Sequence, residues 1–317
     1  TKDNTYTQLT DYTYTQNDDP DATYTITGYT GDLQKYLAGS TKPQDGDKTI
    51  NLTLPKTYNG NLVTAIGANA FADKNISGEV VIPDSIRSIG DGAFKDNQIS
   101  GNITIPNSVI NFGDDIFANN KITSVKWNQN WYTGQGTFEN NQITDLDLGT
   151  GVTVIGNDAF KGNRLTTLTL PSQIGQINMS AFQDNQLTAV NFDNATGLKI
   201  IDDNAFLGNH ISGTVTIPAS VTAIGKNVFS KNAINTLVLS GNQLQTIGSD
   251  AFSVNQISGE VNIPASVTSI GDRAFTQNGI NKLNLSGNSL QTIGTDAFSV
   301  NQISGEVDIP ASVTSIG

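Results

Sequence analysis

The sequence predicts a mostly β repeat solenoid, in which short coils of chain stack so that their strands form a parallel sheet and are joined by short helical or 3-10 turns. Phenylalanine recurs at spacings of 21 to 24 residues. Each repeat carries apolar residues two positions apart, as a half-buried strand does. Residues 239–271 and 285–317 are identical at 30 of 33 positions. A sustained period of this length indicates a solenoid, because one coil cannot bury its faces alone.

Three further columns keep the same period. Ile or Leu follows each Phe by five residues, Asn follows it by three in ten of 11 repeats, and Gly precedes it by four in nine. We expect the Phe side chains to form one buried column, and each Asn amide to hydrogen-bond the backbone of its own and the next coil. We expect the Gly at a tight bend with positive φ. The Phe column is Phe71, Phe94, Phe117, Phe138, Phe160, Phe182, Phe206, Phe229, Phe252, Phe275 and Phe298.

The two ends of the chain break the period. Residues 1–46 lack it, and residues 11–27 read as strand, turn and strand, which predicts a β-hairpin in an N-terminal cap over the open sheet edge. Residues 47–317 then form about 12 coils as one array. The chain stops before the next expected Phe, so we expect the array to be truncated there. We expect a monomer whose open C-terminal end can make contacts.

Composition excludes several classes of protein. The net charge is −12 and the 17 Lys and Arg residues are scattered, which argues against nucleic-acid binding. With no cysteine there are no disulfides or thiolate metal sites. No run of 18 apolar residues is present, so no membrane insertion is expected. The chain is either cytosolic or has lost a signal peptide, and its richness in Asn, Thr, Ser and Gly favours an extracellular product.

The repeat text resembles the BspA-type leucine-rich repeats. The pattern IPxSVxxIGxxAF occurs with single variations at 82–94 and 217–229 and unchanged at 263–275. This resemblance implies a leucine-rich-repeat right-handed solenoid on a bacterial cell surface or cell wall, and the absence of cysteine is typical of a Gram-positive surface protein. It also implies adhesion to a host or microbial surface protein, a mucin or a glycan. The family often has Cys at the column position that Asn fills here.

Catalytic chemistry has little support in the sequence. His210 is the only histidine and stands at a variable corner, and no nucleophile or phosphate-binding motif is present. We therefore predict no enzyme activity and no cofactor. Asp18, Asp19 and Asp21 could bind Ca²⁺ weakly, although we favour an acidic turn. No metal site is predicted.

Candidate binding residues come from two places. The first is the outward position between the two buried residues of each long strand, for which the strongest candidates are Lys126, Asp147, Asn191, Asn262 and Asn284. These polar residues could read a ligand by hydrogen bonds, or could simply be solvent-facing strand residues.

The second place is one deviant coil, 126–138, which holds both tryptophans. Trp127 takes an inward strand position and is expected in the core. Trp131 and Tyr132 either pack into the space that the shortened coil leaves or lie exposed to stack on a sugar or a partner side chain. The sequence thus predicts a non-enzymatic binding or adhesion module, with a passive stalk or coat element as the alternative.

Overall fold

The computed structural model describes residues 12–30 and 52–317, and these contain strands and turns but no helix. The chain falls into two compact units, Thr1–Val152 and Thr153–Gly317. Each unit is a stack of coils whose strands pair mainly in parallel with those of the neighbouring coil. The predicted β-solenoid is therefore confirmed. The predicted cap boundary at residue 46 lies outside the described residues.

The first unit contains a hairpin and parallel strands. The strands of the hairpin, Tyr12–Gln16 and Tyr24–Tyr29, pair antiparallel, as predicted, and the second of them continues in parallel register into Asn61–Ile66. Its strands are β1 (Tyr12–Gln16), β2 (Tyr24–Tyr29), β3 (Leu52–Thr53), β4 (Thr57–Tyr58), β5 (Asn61–Ile66), β6 (Ser77–Gly78), β7 (Val80–Val81), β8 (Ser88–Ile89), β9 (Gln98–Thr104), β10 (Asn111–Phe112), β11 (Lys121–Lys126) and β12 (Asp145–Asp147). One sheet has the order β1-β2-β5-β8-β10, with β4 on β5, and another has the order β12-β11-β9-β6.

The second unit contains one sheet that crosses all its coils. Its strands are β13 (Val154–Ile155), β14 (Thr167–Thr169), β15 (Gln176–Ile177), β16 (Ala189–Asn191), β17 (Ile200–Ile201), β18 (Ser212–Ile217), β19 (Ala223–Ile224), β20 (Ala233–Leu239), β21 (Thr246–Ile247), β22 (Ser258–Ile263), β23 (Ser269–Ile270), β24 (Gly279–Leu285), β25 (Thr292–Ile293) and β26 (Ser315–Ile316). The two-residue strands form the sheet β13-β15-β17-β19-β21-β23-β25-β26. The longer strands pair as β14-β16, β18-β20 and β22-β24.

Stacked Phe rings form the core of each unit, as predicted. Phe206, for example, lies 5.6 Å from Phe182 and 5.4 Å from Phe229 between ring centroids, and its ring is nearly parallel to both. Ten of the 11 column members are fully buried and Phe298 is half-buried. Each coil contributes one ring to the stack, which explains why Phe recurs once in each repeat of the sequence.

The Asn column forms the predicted second ladder, with one difference in direction. Asn185 Nδ2 donates to the carbonyl of its own coil's Phe182 at 3.1 Å and to that of Phe160, in the preceding coil, at 2.9 Å. Its Oδ1 accepts from Leu165 N, again in the preceding coil. The prediction that each Asn reaches the next coil was wrong, because the side chain points back along the stack.

The Gly that recurs four residues before Phe has a different cause from the one predicted. Of the Gly residues four positions before Phe, only Gly134 has positive φ, at 81°; elsewhere that conformation occurs two residues before and two residues after each Phe, as at Gly92 and Asp96. A Cβ on Gly90 would lie 2.5 Å from Ala68 N of the preceding coil. Gly stands there because neighbouring backbones approach too closely for a side chain.

The corners around Phe are hydrogen-bonded turns in the described residues, not the short helical or 3-10 turns that the sequence predicted. Phe94 N donates to Ile116 O in the following coil at 2.8 Å, so the corner backbone bonds between coils instead of along a helix. The left-handed residues on both sides of Phe94 would also interrupt a helix.

Candidate functional site

The outward column is the set of side chains that lie between the two buried positions of each long strand. In the first unit, parallel pairing places Thr104, Lys126 and Asp147 side by side on β9, β11 and β12. All three are exposed. The buried neighbours Val125 and Leu148 fix this orientation, since alternate residues of a strand face opposite sides.

The second unit continues the same pattern within its own coils. Asn191 lies beside Thr169, and Asn262 lies beside Asn284. Asn191 and Asn262 are exposed and Asn284 is half-buried. All five strand residues predicted from the sequence therefore reach the surface, whereas their role in binding stays a prediction.

Asn284 is partly engaged by its own neighbours. Its Nδ2 donates to Asn262 Oδ1 at 2.6 Å and also to the carboxylate of Glu260. Lys282 lies 3.8 Å from the same carboxylate. This end of the outward column is a self-paired polar patch, so a ligand would have to replace contacts that already exist.

Two adjoining concavities lie next to Asn191. They have volumes of about 290 and 250 Å³ and share the side chains of Phe192, Asp193 and Thr216. Phe192 is buried, with its ring edge-on to Phe206 at 6.0 Å, and it forms an apolar floor. Other lining residues are Ala189, Val190, Ala195, Thr196, Thr214, Pro218, Ala219 and Ser220.

Sequence reasoning missed this concavity and the carboxylate of Asp193 beside it. The available signal was the spacing of 24 residues between Phe182 and Phe206, the longest in the chain. The same coil has Asp193 where comparable coils have Pro, as at Pro218. Because this coil has one more residue than most and has no proline after its strand, its backbone can follow a different path there from that of the other coils.

The deviant coil places its two tryptophans in opposite environments. Trp127 is buried, 6.2 Å from Phe138 between ring centroids, so its predicted core position is confirmed. Trp131 is 62% exposed and stacks on Tyr132 at 5.4 Å with an interplanar angle of 28°. Burial and the negative charge of Asp114 raise the pKa of the Tyr132 phenol. Trp131 is thus the exposed member of the pair.

The remaining candidates behave as ordinary surface or turn residues. His210 is exposed, as expected. Asp19 accepts hydrogen bonds from Thr23 N at 3.0 Å and from the Thr23 hydroxyl, and these bonds lower the pKa of its carboxyl. Asp19 therefore closes the hairpin turn.

Residues 12–30 and 52–317 hold no cluster of three or more metal-ligating side chains. In the same ranges no helix has the length and apolar character needed to cross a membrane.

The repeat of about 23 residues that forms these coils matches a known family of repeats. The BspA type leucine rich repeat region matches in six copies over residues 64–188, 133–258 and 233–317. The chain belongs to the BspA-type leucine-rich repeat family. As a BspA-type protein it has the scaffold of an interaction protein rather than that of an enzyme. No curated protein matches its sequence.

Solved structures similar to this BspA-type protein include bacterial leucine-rich repeat proteins. One from Bacteroides ovatus has a TM-score of 0.56 and 17% identity, over 98% of this chain and 90% of that one. A leucine rich cell surface protein from Faecalibacterium prausnitzii has a TM-score of 0.44 and 20% identity, over 98% of this chain and 93% of that one. At such identities the likeness of the first establishes the fold alone.

Proposed function

We propose that this BspA-type protein is a non-enzymatic binding or adhesion module of a secreted or wall-anchored bacterial surface protein. The observation that carries the proposal is the outward column, whose exposed side chains repeat in register on paired strands. A ligand laid across these strands can contact several coils at once. The expected partner is a host or microbial surface protein, a mucin or a glycan.

The concavity beside Asn191 gives this surface a place to hold a ligand group. Phe192 supplies an apolar floor, while Asp193, Thr214 and Thr216 supply polar groups at its edges. An apolar cleft with a few convergent polar groups is the usual form of a binding site. We expect the second unit's contact with its partner to centre here.

The test is a binding screen against mucins, matrix proteins and a glycan array. A variant with Asn191→Arg and Thr216→Arg would fill the concavity with two long side chains. We expect it to lose at least about tenfold in affinity for any partner found, because the ligand group is displaced. The matched control, Gln186→Arg with His210→Arg, changes two exposed residues outside the outward column. Equal binding by both variants would contradict the proposed surface.

A passive stalk or coat role is the second candidate. It is favoured by the near-identity of residues 239–271 and 285–317, since copying a coil pair adds length with little new surface. Of the three changed positions, only Asn262 and its counterpart Asp308 belong to the outward column. The full-length gene separates the two roles: another folded domain before these coils favours a stalk, whereas an exposed N-terminal position with a C-terminal sorting signal favours binding.

A further inference from the structure

The first unit carries an exposed apolar patch away from the outward column. Trp131 is 62% exposed and Ile110, in the preceding coil, is 61% exposed. The two coils are joined at this point, because Asn130 Nδ2 donates to Ile110 O at 3.0 Å. Two large apolar side chains are therefore exposed on neighbouring coils at this point.

The backbone under Trp131 is held from several sides. Asn130 O accepts from the indole nitrogen of buried Trp127 at 3.3 Å, and Asn130 N donates to Asn128 Oδ1 at 2.8 Å. Tyr132 N donates to Asn130 Oδ1 at 3.1 Å. Trp131 therefore projects from a segment whose backbone is already held in place. A ligand that stacks on it would cost the protein little further backbone entropy.

Tyr132 backs one side of the indole. The two rings lie 5.4 Å apart with an interplanar angle of 28°, and Tyr132 is itself only half-exposed. Trp131 nevertheless keeps 62% of its surface exposed, so a large part of the side chain is accessible to a ligand. The stack presents one flat apolar surface with an amphipathic ring behind it.

The size of the patch favours a small ligand group. An aromatic side chain offers roughly 150–250 Å² in all, so the exposed part of Trp131 is on the order of 100–150 Å², and Ile110 adds about half to two thirds as much. A stable protein interface buries about 800 Å² on each partner. A second copy of the chain would find too little surface here, whereas a single ring would cover it.

The charges around the patch favour a neutral ligand. Burial and the carboxylates of Asp91 and Asp115 raise the pKa of Asp114, whose charge in turn acts on Tyr132. An added anion would increase this repulsion. The coil before Ile110 carries the exposed Arg87, whose carbonyl accepts from Ile110 N at 2.9 Å, and its positive charge disfavours a cationic ligand.

We propose that Trp131, backed by Tyr132 and extended by Ile110, is a stacking platform for the ring of a neutral saccharide. The C–H face of a pyranose matches the flat apolar surface of the exposed indole, and its hydroxyl rim needs hydrogen-bonding side chains nearby. In this proposal the amides of exposed Asn111 and Gln129 meet that rim, Gln129 through its Nε2, because its Oε1 accepts from the Thr150 hydroxyl at 3.0 Å. The platform lies outside the outward column and does not depend on it.

Tryptophan fluorescence gives a direct test. The chain has two tryptophans, and Trp127 is buried, so a change in acrylamide quenching on adding sugar reports on Trp131. Lactose, cellobiose, maltose and N-acetylglucosamine serve as neutral probes, and 3′-sialyllactose as the anionic one. We expect saturable protection by at least one neutral sugar and weaker protection by sialyllactose.

Variants distinguish stacking from other effects. Trp131→Ala should weaken sugar binding by about tenfold or more, and Trp131→Phe should keep part of it, because a smaller ring still stacks. Met179→Ala, which removes another exposed apolar side chain, should bind as the wild type does. Asn191→Arg with Thr216→Arg should also leave it unchanged, which separates this site from the proposed binding surface.

Three results would overturn the platform. The first is no protection by any neutral sugar up to about 100 mM, since a weaker interaction is below the range of specific recognition. The second is equal sugar binding by Trp131→Ala in a sample that melts as the wild type does. The third is a concentration-dependent dimer that Trp131→Ala abolishes, which would make the patch an interface between two copies of the chain.

Discussion

Asn120 Nδ2 donates to the carbonyl oxygen of Phe94 at 3.0 Å, although the two residues belong to successive coils. The same oxygen accepts from Asn97 Nδ2, within its own coil, at 2.9 Å. One corner carbonyl thus has both lone pairs satisfied by two members of the Asn ladder. In turn Asn120 Oδ1 accepts from Ile99 N, so each amide closes the corner of the coil before it.

The first prediction concerns this ladder. Asn185→Ala removes two donors and one acceptor from buried backbone partners and should lower the free energy of unfolding by about 1–3 kcal/mol. The adjacent Gln186 is exposed, and Gln186→Ala should cost less than about 0.5 kcal/mol. Chemical denaturation of both variants measures the difference. Equal losses would mean that the ladder side chains do not carry this stability.

The second prediction concerns the close approach of coils. Gly271→Ala would place a Cβ 2.6 Å from Gly248 C in the preceding coil, and backbone cannot move aside as a flexible side chain can. We expect a loss of about 1–3 kcal/mol, the usual range for overpacking.

Gly279→Ala is the matched control for this clash. The nearest heavy atom to its Cβ would be Ile257 O at 3.5 Å, an ordinary contact. Its melting temperature should stay within a degree or two of the wild type's. If both alanine variants unfold at the same temperature, close approach does not explain why Gly occupies the repeated position.

The repeat made most of the fold predictable. Phe206 and Asn185 could be placed inward because their columns hold the same period as the alternating strand residues, and a common period means a common face. Gly90 was predicted for the wrong reason, because glycine serves both positive φ and close approach, and one sequence does not separate them.

The candidate site was less predictable than the fold. Outward positions such as Asn191 follow from strand alternation, whereas the concavity beside it depends on the path of the backbone after Phe192. For Trp131 and Tyr132 the sequence did not decide between packing and exposure, since the shortened coil lacks the repeat motif that could be aligned with the other coils. The structure answers the question by exposing Trp131 and half-burying Tyr132.

The third prediction uses backbone strain at the corners. Val254 has a φ of 54°, in the left-handed region that a β-branched residue avoids, and it is 41% exposed. Comparable corners carry Asn or Asp, such as Asn119 and Asp96. Val254→Asn should therefore raise stability by about 1 kcal/mol.

Val238→Asn provides the contrast to this corner substitution. Val238 is 40% exposed but lies within β20, where a β-branched residue is favoured. The same chemical change should be neutral or destabilising there, as thermal denaturation would show. A gain of equal size at both positions would point to a general benefit of polar surface instead of relieved strain.

The fourth prediction concerns pH. Burial and the carboxylates of Asp91 and Asp115 raise the pKa of Asp114 above its ordinary value of 3.8. The folded state thus holds a proton on Asp114 more readily than the unfolded chain does, so its ionised form destabilises the fold at neutral pH. Asp114→Asn should raise the melting temperature at pH 7. The gain should shrink as pH falls through the raised pKa and disappear below 3.8, where the carboxyl is protonated in both states.

Asp84→Asn should behave with the opposite sign. A hydrogen bond and an ion pair with Lys56, whose Nζ lies 2.7 Å from Asp84 Oδ1, lower the pKa of the Asp84 carboxyl. Its ionised form therefore stabilises the fold at pH values above the ordinary pKa of 3.8. Its loss should lower the melting temperature slightly at pH 7, because exposed ion pairs contribute little. That loss should fade as pH falls through the lowered pKa. Parallel melting curves from pH 3 to pH 8 would separate the two variants, and a shift of the same sign in both would contradict the assignment of repulsion to Asp114.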